Sequence, residues 1–369
     1  MNTSSTNKPL IFLGPLPPPY GGVSVFLSTL FSHVRDSNVR LWTYTGNVTP
    51  DEHIERFNHR RLGVNSLLLK HGSNARIVDF SHFHLEYPNP ILLPVWLAAK
   101  GLLGFYWYKC ICDGSLPDRY SSFSPLQKLL FDSALRRVDE FIVVGDELKQ
   151  WLTNKNNVRQ KVTVIRSLLR SRDDQMSVQA SLDVESRLNG FLQHEKRVCS
   201  IGTFISDYGF DQVANAVEKL RAHTGDNIGL LLIDGAFATD ETYKRQVVAN
   251  RSWVTVVAGV PNRQVYEMLR HCDLFVRAFR SESYGISRVE AIWCGVPVIA
   301  TDVGETRGML TYRFGDDEKL TELIRSVLMK EVYLELETAA AMFYEEADQN
   351  VRIFADAVNL SLNSSTLAR

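Results

Sequence analysis

The sequence predicts an α/β protein of two doubly wound domains, and three observations lead there. Short apolar runs alternate with stretches of helical spacing from end to end, uninterrupted by repeats or low-complexity tracts, which is the βα rhythm of parallel sheets. The chain has 369 residues, more than one ordinary core holds, and 45% hydrophobic with 22% charged residues makes it globular. A polar stretch poor in strand formers, Ser171 to His194, separates two such βα series. The domains are therefore read as 1–170, a linker at 171–195, a second domain at 196–345 and a C-terminal helix at 346–369.

Composition removes several function classes. A formal net charge of −1 argues against a general nucleic-acid binder. Five cysteines, an odd number without framework spacing, point to a reducing compartment, and Cys110 and Cys112 have no second close Cys/His pair with which to form a zinc site. No apolar core of signal-peptide length precedes Gly14 and Pro15, so a cytoplasmic location is expected. Only Ile91 to Tyr108 approaches the length of a membrane span, and Pro94, Lys100, Gly101 and Gly104 break it into a short helix and a buried strand.

The first domain opens with a strand at Leu10 to Leu13, a Gly21-Gly22 turn and a helix over Val23 to Phe31. A glycine pair opening a helix exposes amides to an anion. Val39 to Thr45 reads as a strand, and Ile54 to Lys70 as a helical stretch carrying Arg56, His59, Arg60, Arg61 and Lys70. In Asp79-Phe80-Ser81-His82-Phe83-His84, strand alternation would set His82 and His84 on one face. Phe105 to Cys112 is a strand leading to Asp113-Gly114. Ser124 to Arg137 is an amphipathic helix with Ser124 as N-cap and Pro125 in its first position. A strand at Phe141 to Val144, a helix at Asp146 to Leu152 and a strand at Lys161 to Arg166 complete this half.

In the second half the strands are Lys196 to Gly202, Ile228 to Ile233, Val254 to Val257, Leu274 to Val276 and Val296 to Ile299. Helices lie at Gln212 to Ala222, Glu241 to Asn250 and Asn262 to Arg270, and Glu331 to Leu362 is helical by composition. The most informative segment is Asp273 to Thr301, which reads strand, polar loop, helix, strand, with the helix running from about Tyr284-Gly285 to Gly295. Amides of Ser283, Tyr284 and Gly285 at that helix start offer an anion site at the carboxyl edge of a parallel sheet, flanked by Glu282 and Glu290. Carboxylates beside a phosphate site suit a sugar nucleotide, because a carboxylate accepts hydrogen bonds from vicinal hydroxyls while the helix end takes the diphosphate. Taken singly, Glu290 reads as a salt-bridge partner and Glu282 as a solvated loop charge.

Glu282, Tyr284-Gly285, Glu290-Ala291, Gly295 and Pro297-Val298 resemble the E-x-F-G-x3-E-A-x3-G-x-P-V pattern of the retaining GT-B glycosyltransferases of family 4. Gly21-Gly22 resembles the family's P-P-x-G-G-[VI] loop, and Asp79 to His84 its D-V-V-H-V-H strand end. The resemblance implies two Rossmann-like domains facing across a cleft, with the last helix, Val351 to Leu360, returning to the first domain. It implies sugar transfer from a nucleoside diphosphate sugar to an acceptor hydroxyl with retention, typically in bacterial surface polysaccharide assembly. It assigns Gly21, Gly22, Thr203, Ser283, Tyr284, Gly285, Glu290 and Arg280 to the donor, with Glu290 on the ribose. Glu282, Asp113 and His84 fall at the reacting centre. No cofactor is implied beyond the donor substrate, and without an Asp-x-Asp pair a metal bridging the diphosphate has no obvious ligands. The partners implied are the nucleotide sugar and a glycan or lipid-linked acceptor, with no nucleic acid. The bases around Arg60 and Arg61 suit peripheral membrane contact through the first domain, at the inner face of the membrane.

Two departures matter. Relatives read G-R-x4-K-G after the first strand of the second domain, whereas this chain reads Gly202-Thr203-Phe204-Ile205-Ser206-Asp207-Tyr208-Gly209, so both cations are missing. Arg277, Arg280 and Arg288 either replace that charge or only pair with the two Glu. Cys112 stands where many relatives carry a His, and a thiol is no substitute for a neutral imidazole. A non-catalytic carbohydrate-binding or partner subunit therefore stays open as a reading, as does an epimerase of the same fold class.

Overall fold

The computed structural model describes residues 8–34, 39–47, 49–58, 68–70, 75–154, 158–169, 182–235 and 239–360. The chain divides into two units, one comprising 1–18, 22–172 and 346–369 and the other 19–21 and 173–345. The first unit runs β1 (Leu10–Gly14), α1 (Gly22–Val34), β2 (Val39–Thr43), β3 (Ile54–Arg56), β4 (Arg76–Asp79), α2 (Leu92–Leu103), β5 (Tyr106–Ile111), α3 (Leu116–Ser121), α4 (Pro125–Leu135), β6 (Glu140–Val143), α5 (Asp146–Thr153) and β7 (Lys161–Val164). Its strands form one parallel sheet in the order β3-β2-β1-β4-β5-β6-β7. The central strands β1, β4 and β5 are buried on both faces, which is why they read as continuous apolar runs. The helix at Ser124 begins as its residues dictate: the Ser124 side chain accepts from Gln127 N–H while the Gln127 side chain accepts from Ser124 N–H.

The second unit runs α6 (Leu182–Leu192), β8 (Lys196–Gly202), a 3₁₀ turn (Ser206–Tyr208), α7 (Phe210–Thr224), β9 (Ile228–Asp234), α8 (Glu241–Val248), β10 (Val254–Ala258), α9 (Asn262–Leu269), β11 (Leu274–Arg277), α10 (Ile286–Trp293), β12 (Val298–Thr301), β13 (Leu310–Tyr312) and α11 (Asp317–Leu328). Its sheet order is β10-β9-β8-β11-β12-β13, again parallel, with the direction of winding reversing between β8 and β11. The last helix, α12 (Leu336–Ala357), ends in the first unit. There Phe354 meets Phe12 edge-to-face at 5.7 Å, Arg76 donates to the Val358 carbonyl at 2.7 Å, and buried Asn350 donates to the Leu168 carbonyl at 3.0 Å. Among the described residues, no helix is long and apolar enough to cross a membrane.

Three expectations change. Ile54–Arg56 is not the start of a helix but the edge strand β3, held by register with Leu41 to Thr43, a tertiary pairing that overrides local spacing. His59, Arg60 and Arg61 lie outside the described residues. In the segment read as linker, 182–192 is helix α6, with Val184, Leu188 and Phe191 buried at helical spacing; 171–181 lies outside the described residues. β4 ends at Asp79, so His82 and His84 sit in turns rather than on a strand face.

The contacts of α12 set a first expected outcome. Asn350→Leu leaves the buried Leu168 carbonyl without its donor and should lower stability by about 1–3 kcal/mol in equilibrium denaturation. An unchanged midpoint would show that this bond does not hold the helix.

Candidate functional site

The second unit's sheet opens at its carboxyl edge. β8 and β11 pair only at Leu274↔Val198 and Phe275↔Cys199, whereas β8 stays paired with β9 as far as Gly202↔Asp234 and β11 with β12 as far as Arg277↔Ala300. The two central strands therefore part at the point where the winding reverses, which is where open α/β sheets take ligands. Arg277 fills the parting. Its Nε donates to Glu282 Oε2 at 2.8 Å and its Nη1 to the Ile201 carbonyl on β8.

The guanidinium lies over the rings of Tyr208 and Phe279, at 4.9 and 5.0 Å, and those rings stack on each other at 4.2 Å. Burial penalises the Arg277 charge, and the Glu282 carboxylate together with Tyr208 more than offsets that, leaving the group above its ordinary value. Glu282 is accordingly a paired carboxylate, not a solvated loop charge.

The Glu282 loop is shaped by two glycines at positive φ. Gly285, at +91°, turns the chain into α10, and a Cβ there would lie 2.8 Å from Arg288 Cδ. Gly304, at +72°, passes under the same loop, where a Cβ would lie 2.9 Å from Glu282 Cγ. Ser283 is half-buried and Tyr284 is buried, its carbonyl accepting from Glu305 N–H at 2.9 Å. Buried Glu290, in α10, accepts at Oε1 from Asn262 Nδ2 and Tyr266 Oη, both at 3.2 Å. The Thr203 hydroxyl is buried beside Asp234 at 3.4 Å.

The three arginines have separate fates. Arg288 is fully buried and donates to the carbonyls of Val303 and Glu305 and to Thr301 Oγ1; burial pulls its pKa down to about 10, so it stays protonated near neutrality. Arg280 is exposed, 3.1 Å from Asp207 and over the Phe314 ring at 4.4 Å. Neither pairs with Glu290. Asn262 and Tyr266 do, and sequence reading missed them, because their contact with Glu290 joins residues 28 and 24 positions apart and carries no local pattern.

Of the remaining residues singled out by sequence, Gly21 falls with the second unit and Gly22, His84, Cys112 and Asp113 with the first. Gly22 begins α1, and no atom lies within 4 Å of where a Cβ of Gly21 or Gly22 would sit. His84 is not placed to touch a substrate, because it is wholly buried. Its Nδ1 lies 2.6 Å from Asp79 Oδ2, and its ring rests against Trp96 and Trp107 at 4.3 and 5.7 Å. Asp79 also faces the fully buried Lys109, which sits 3.1 Å from buried Glu86 and donates to the Ser81 carbonyl at 2.5 Å. Burial alone would raise Asp79, but Lys109 and His84 hold its carboxyl well below the usual range.

Asp113 caps the turn into α3 by accepting from Ser115 N–H at 2.9 Å and Ser115 Oγ at 2.6 Å, and it pairs with Arg119. Burial pushes the Cys112 thiol up to about 12, so it is a neutral, unreactive group.

Residues 184–344 match the family model Glycosyl transferases group 1, a span that includes Glu282 and Glu290. No curated protein sequence matches the chain. Among solved structures, HepE of Anabaena in complex with UDP and glucose superimposes with a TM-score of 0.73 at 14% identity, covering 96% of this chain and 100% of that one. WaaG, a glycosyltransferase involved in lipopolysaccharide biosynthesis, gives 0.64 at 17% identity over 95% and 98%. The UDP-forming α,α-trehalose-phosphate synthase of Burkholderia xenovorans in complex with glucose-6-phosphate gives 0.71 at 11% identity over 95% and 98%. At such identities the likeness establishes the fold, two Rossmann-like α/β domains as in GT-B glycosyltransferases.

Two outcomes follow from this geometry. Arg277→Met leaves Glu282 buried without its cation and should cost about 3–5 kcal/mol, part of which Glu282→Gln in the same chain restores; strictly additive losses in a double-mutant cycle would mean the pair is not coupled. Asp79, Asp113 and Glu305 are all held below the ordinary carboxylate range, so the unfolded chain takes up these protons first. Their contribution is present above about pH 4 and lost as pH falls further, so denaturation midpoints should drop on acidification, less steeply in Asp79→Asn. Equal slopes for the two proteins would contradict this.

Proposed function

We propose that this protein is a metal-independent, retaining glycosyltransferase that moves a sugar from a nucleoside diphosphate donor to an acceptor hydroxyl. The observation that carries the reading is the pair of carboxylates, half-buried Glu282 and buried Glu290, on either side of the Gly285 turn where β8 and β11 part. The match of residues 184–344 to Glycosyl transferases group 1, and the likeness to structures that hold UDP and glucose, support it.

In this reading Glu290 accepts hydrogen bonds from the ribose hydroxyls, with Asn262 and Tyr266 fixing its carboxylate from behind. Glu282, steadied through Oε2 by Arg277, offers Oε1 to the hydroxyls of the transferred sugar. Amides of Ser283 to Gly285 take the diphosphate. The bond from the anomeric carbon to the diphosphate oxygen breaks, and a bond to the acceptor oxygen forms on the same face. The acceptor proton passes to the leaving phosphate, giving the nucleoside diphosphate and the glycoside. In this reading protein donors carry the diphosphate charge. Bacterial surface glycan assembly in the cytoplasm, on a glycan or lipid-linked acceptor, is the setting proposed.

A second reading is favoured by one observation: Arg277 is already neutralised by Glu282, and Thr203 and Tyr208 bring no charge to the β8 loop. In that case the chain is a non-catalytic carbohydrate-binding partner. Calorimetry with UDP and GDP, together with sugar transfer or hydrolysis from each common donor with and without chelator, separates the two. The enzyme reading expects one nucleotide to bind, turnover indifferent to chelator, and Glu290→Ala to weaken nucleotide affinity at least about tenfold, the loss of charge-assisted bonds. Glu282→Gln should keep nucleotide affinity and lose turnover. No binding of either nucleotide and no turnover from any donor would overturn it.

A further inference from the structure

Most arginines around the Glu282 loop have a carboxylate of their own. Arg277 pairs with Glu282 at 2.8 Å, Arg280 with Asp207 at 3.1 Å and Arg307 with Glu305 at 2.5 Å. Among the described residues Arg288 makes no ion pair, yet it is the one that is wholly buried. Its hydrogen-bond partners are neutral: the Val303 carbonyl at 2.5 Å, the Glu305 carbonyl at 3.0 Å and Thr301 Oγ1 at 3.0 Å. Burial works against its charge, and Glu282 and Glu305 favour it only from beyond ion-pair distance, each already gripped by another arginine.

A guanidinium cannot shed its proton near neutral pH, so it cannot escape the cost of burial as a lysine would. Buried charges are as a rule paired, because an uncompensated one costs several kcal/mol. A chain that folds around one keeps a place for an anion from outside. The position of the side chain says where. Arg288 lies in the first turn of α10, and its N–H donates to the Gly285 carbonyl at 2.9 Å. Side chains of a first turn lean back toward the helix start, so the Arg288 stem runs beneath Gly285. Its Nε sits 3.0 Å from where a Cβ of Gly285 would lie, and that buried Nε has no acceptor. The guanidinium and the positive end of the helix therefore point at one spot.

We propose that Arg288 is the built-in counter-charge for the diphosphate held at the Gly285 turn. The inference rests on the transfer reaction proposed above, and it names the source of the positive charge that Thr203 and Tyr208 do not bring. When the bond from the anomeric carbon to the diphosphate oxygen breaks, its electron pair stays on that oxygen, and negative charge grows there. A fixed cation beneath the turn favours that state over the intact donor, at no cost in rearrangement. Arg288 is a positioning residue: it lies under the backbone and acts through the Gly285 turn, its Nη atoms anchored to the 301–305 loop.

Calorimetry with UDP against uridine, or with GDP against guanosine, tests this on Arg288→Gln and Arg288→Lys. Arg288→Gln should lose at least about tenfold in affinity for the diphosphate and keep its affinity for the nucleoside. Its turnover should fall by about a hundredfold, more than its KM rises, since the charge matters most as the bond breaks. A purely structural role would weaken both ligands alike. Should Arg288→Gln fail to fold, Arg288→Lys decides. A buried ammonium gives up its proton more readily than one in water, so diphosphate affinity in that variant should fall as pH rises from 7 to 9 while wild type follows the nucleoside control. Wild type that binds a diphosphate, with Arg288→Gln binding it as tightly or Arg288→Lys showing the wild-type pH profile, overturns this inference alone. Wild type that binds neither UDP nor GDP overturns the transfer reading and this inference together.

Discussion

A single cation organises the carboxyl edge of the second unit. Where β8 and β11 separate, each strand keeps its outer partner but loses its inner one, leaving the Ile201 carbonyl on β8 without a ladder donor from β11. Arg277 supplies that donor from its side chain and turns its Nε toward Glu282. A buried guanidinium without a carboxylate would be costly, and so would the carboxylate without the guanidinium. Each therefore fixes the other, and the loop from Phe279 to Gly285 is held in place by that pairing, with the Tyr208 and Phe279 rings closing over it. Gly285 and Gly304 let the backbone come close enough for this.

The first unit uses the same physical device for a different end. Lys109 is buried between Asp79 and Glu86, and Asp79 in turn holds His84 against two tryptophans. These charges sit at the ends of β4 and β5, where a ligand-binding edge would be sought, yet His84 is sealed in the core. A histidine at a strand end is thus not a substrate contact by position alone; what it packs against decides. His82, two residues earlier, keeps about a third of its side chain exposed and is the more accessible of the two rings.

How much of this was legible from the residues follows the range of the interactions. The βα alternation, the capped helix at Ser124 and the strand-loop-helix-strand around Glu282 are local patterns, and the structure carries them as read. The edge strands β3 and β13 are three residues each and exist only through pairing with Leu41 to Thr43 and Ile299 to Thr301, so no period in the sequence marks them. Helix α6 did carry a signal, Val184, Leu188 and Phe191 at helical spacing, which polar composition masked. The links from Arg277 to Ile201 and from Glu290 to Asn262 span 76 and 28 positions, and only the fold brings them together.

The central claim is that two acidic side chains flanking the Gly285 turn receive a nucleotide-linked sugar. A crystal structure of the protein grown with UDP tests it most directly, because it reports the position of every donor at once. The account predicts ribose hydroxyls on the Glu290 carboxylate and phosphate oxygens at the amides of Ser283 to Gly285, with Arg277 still bridging to Ile201. UDP bound elsewhere, or a Glu290 carboxylate that stays on Asn262 and Tyr266 with no nucleotide beside it at saturating concentration, would contradict the account.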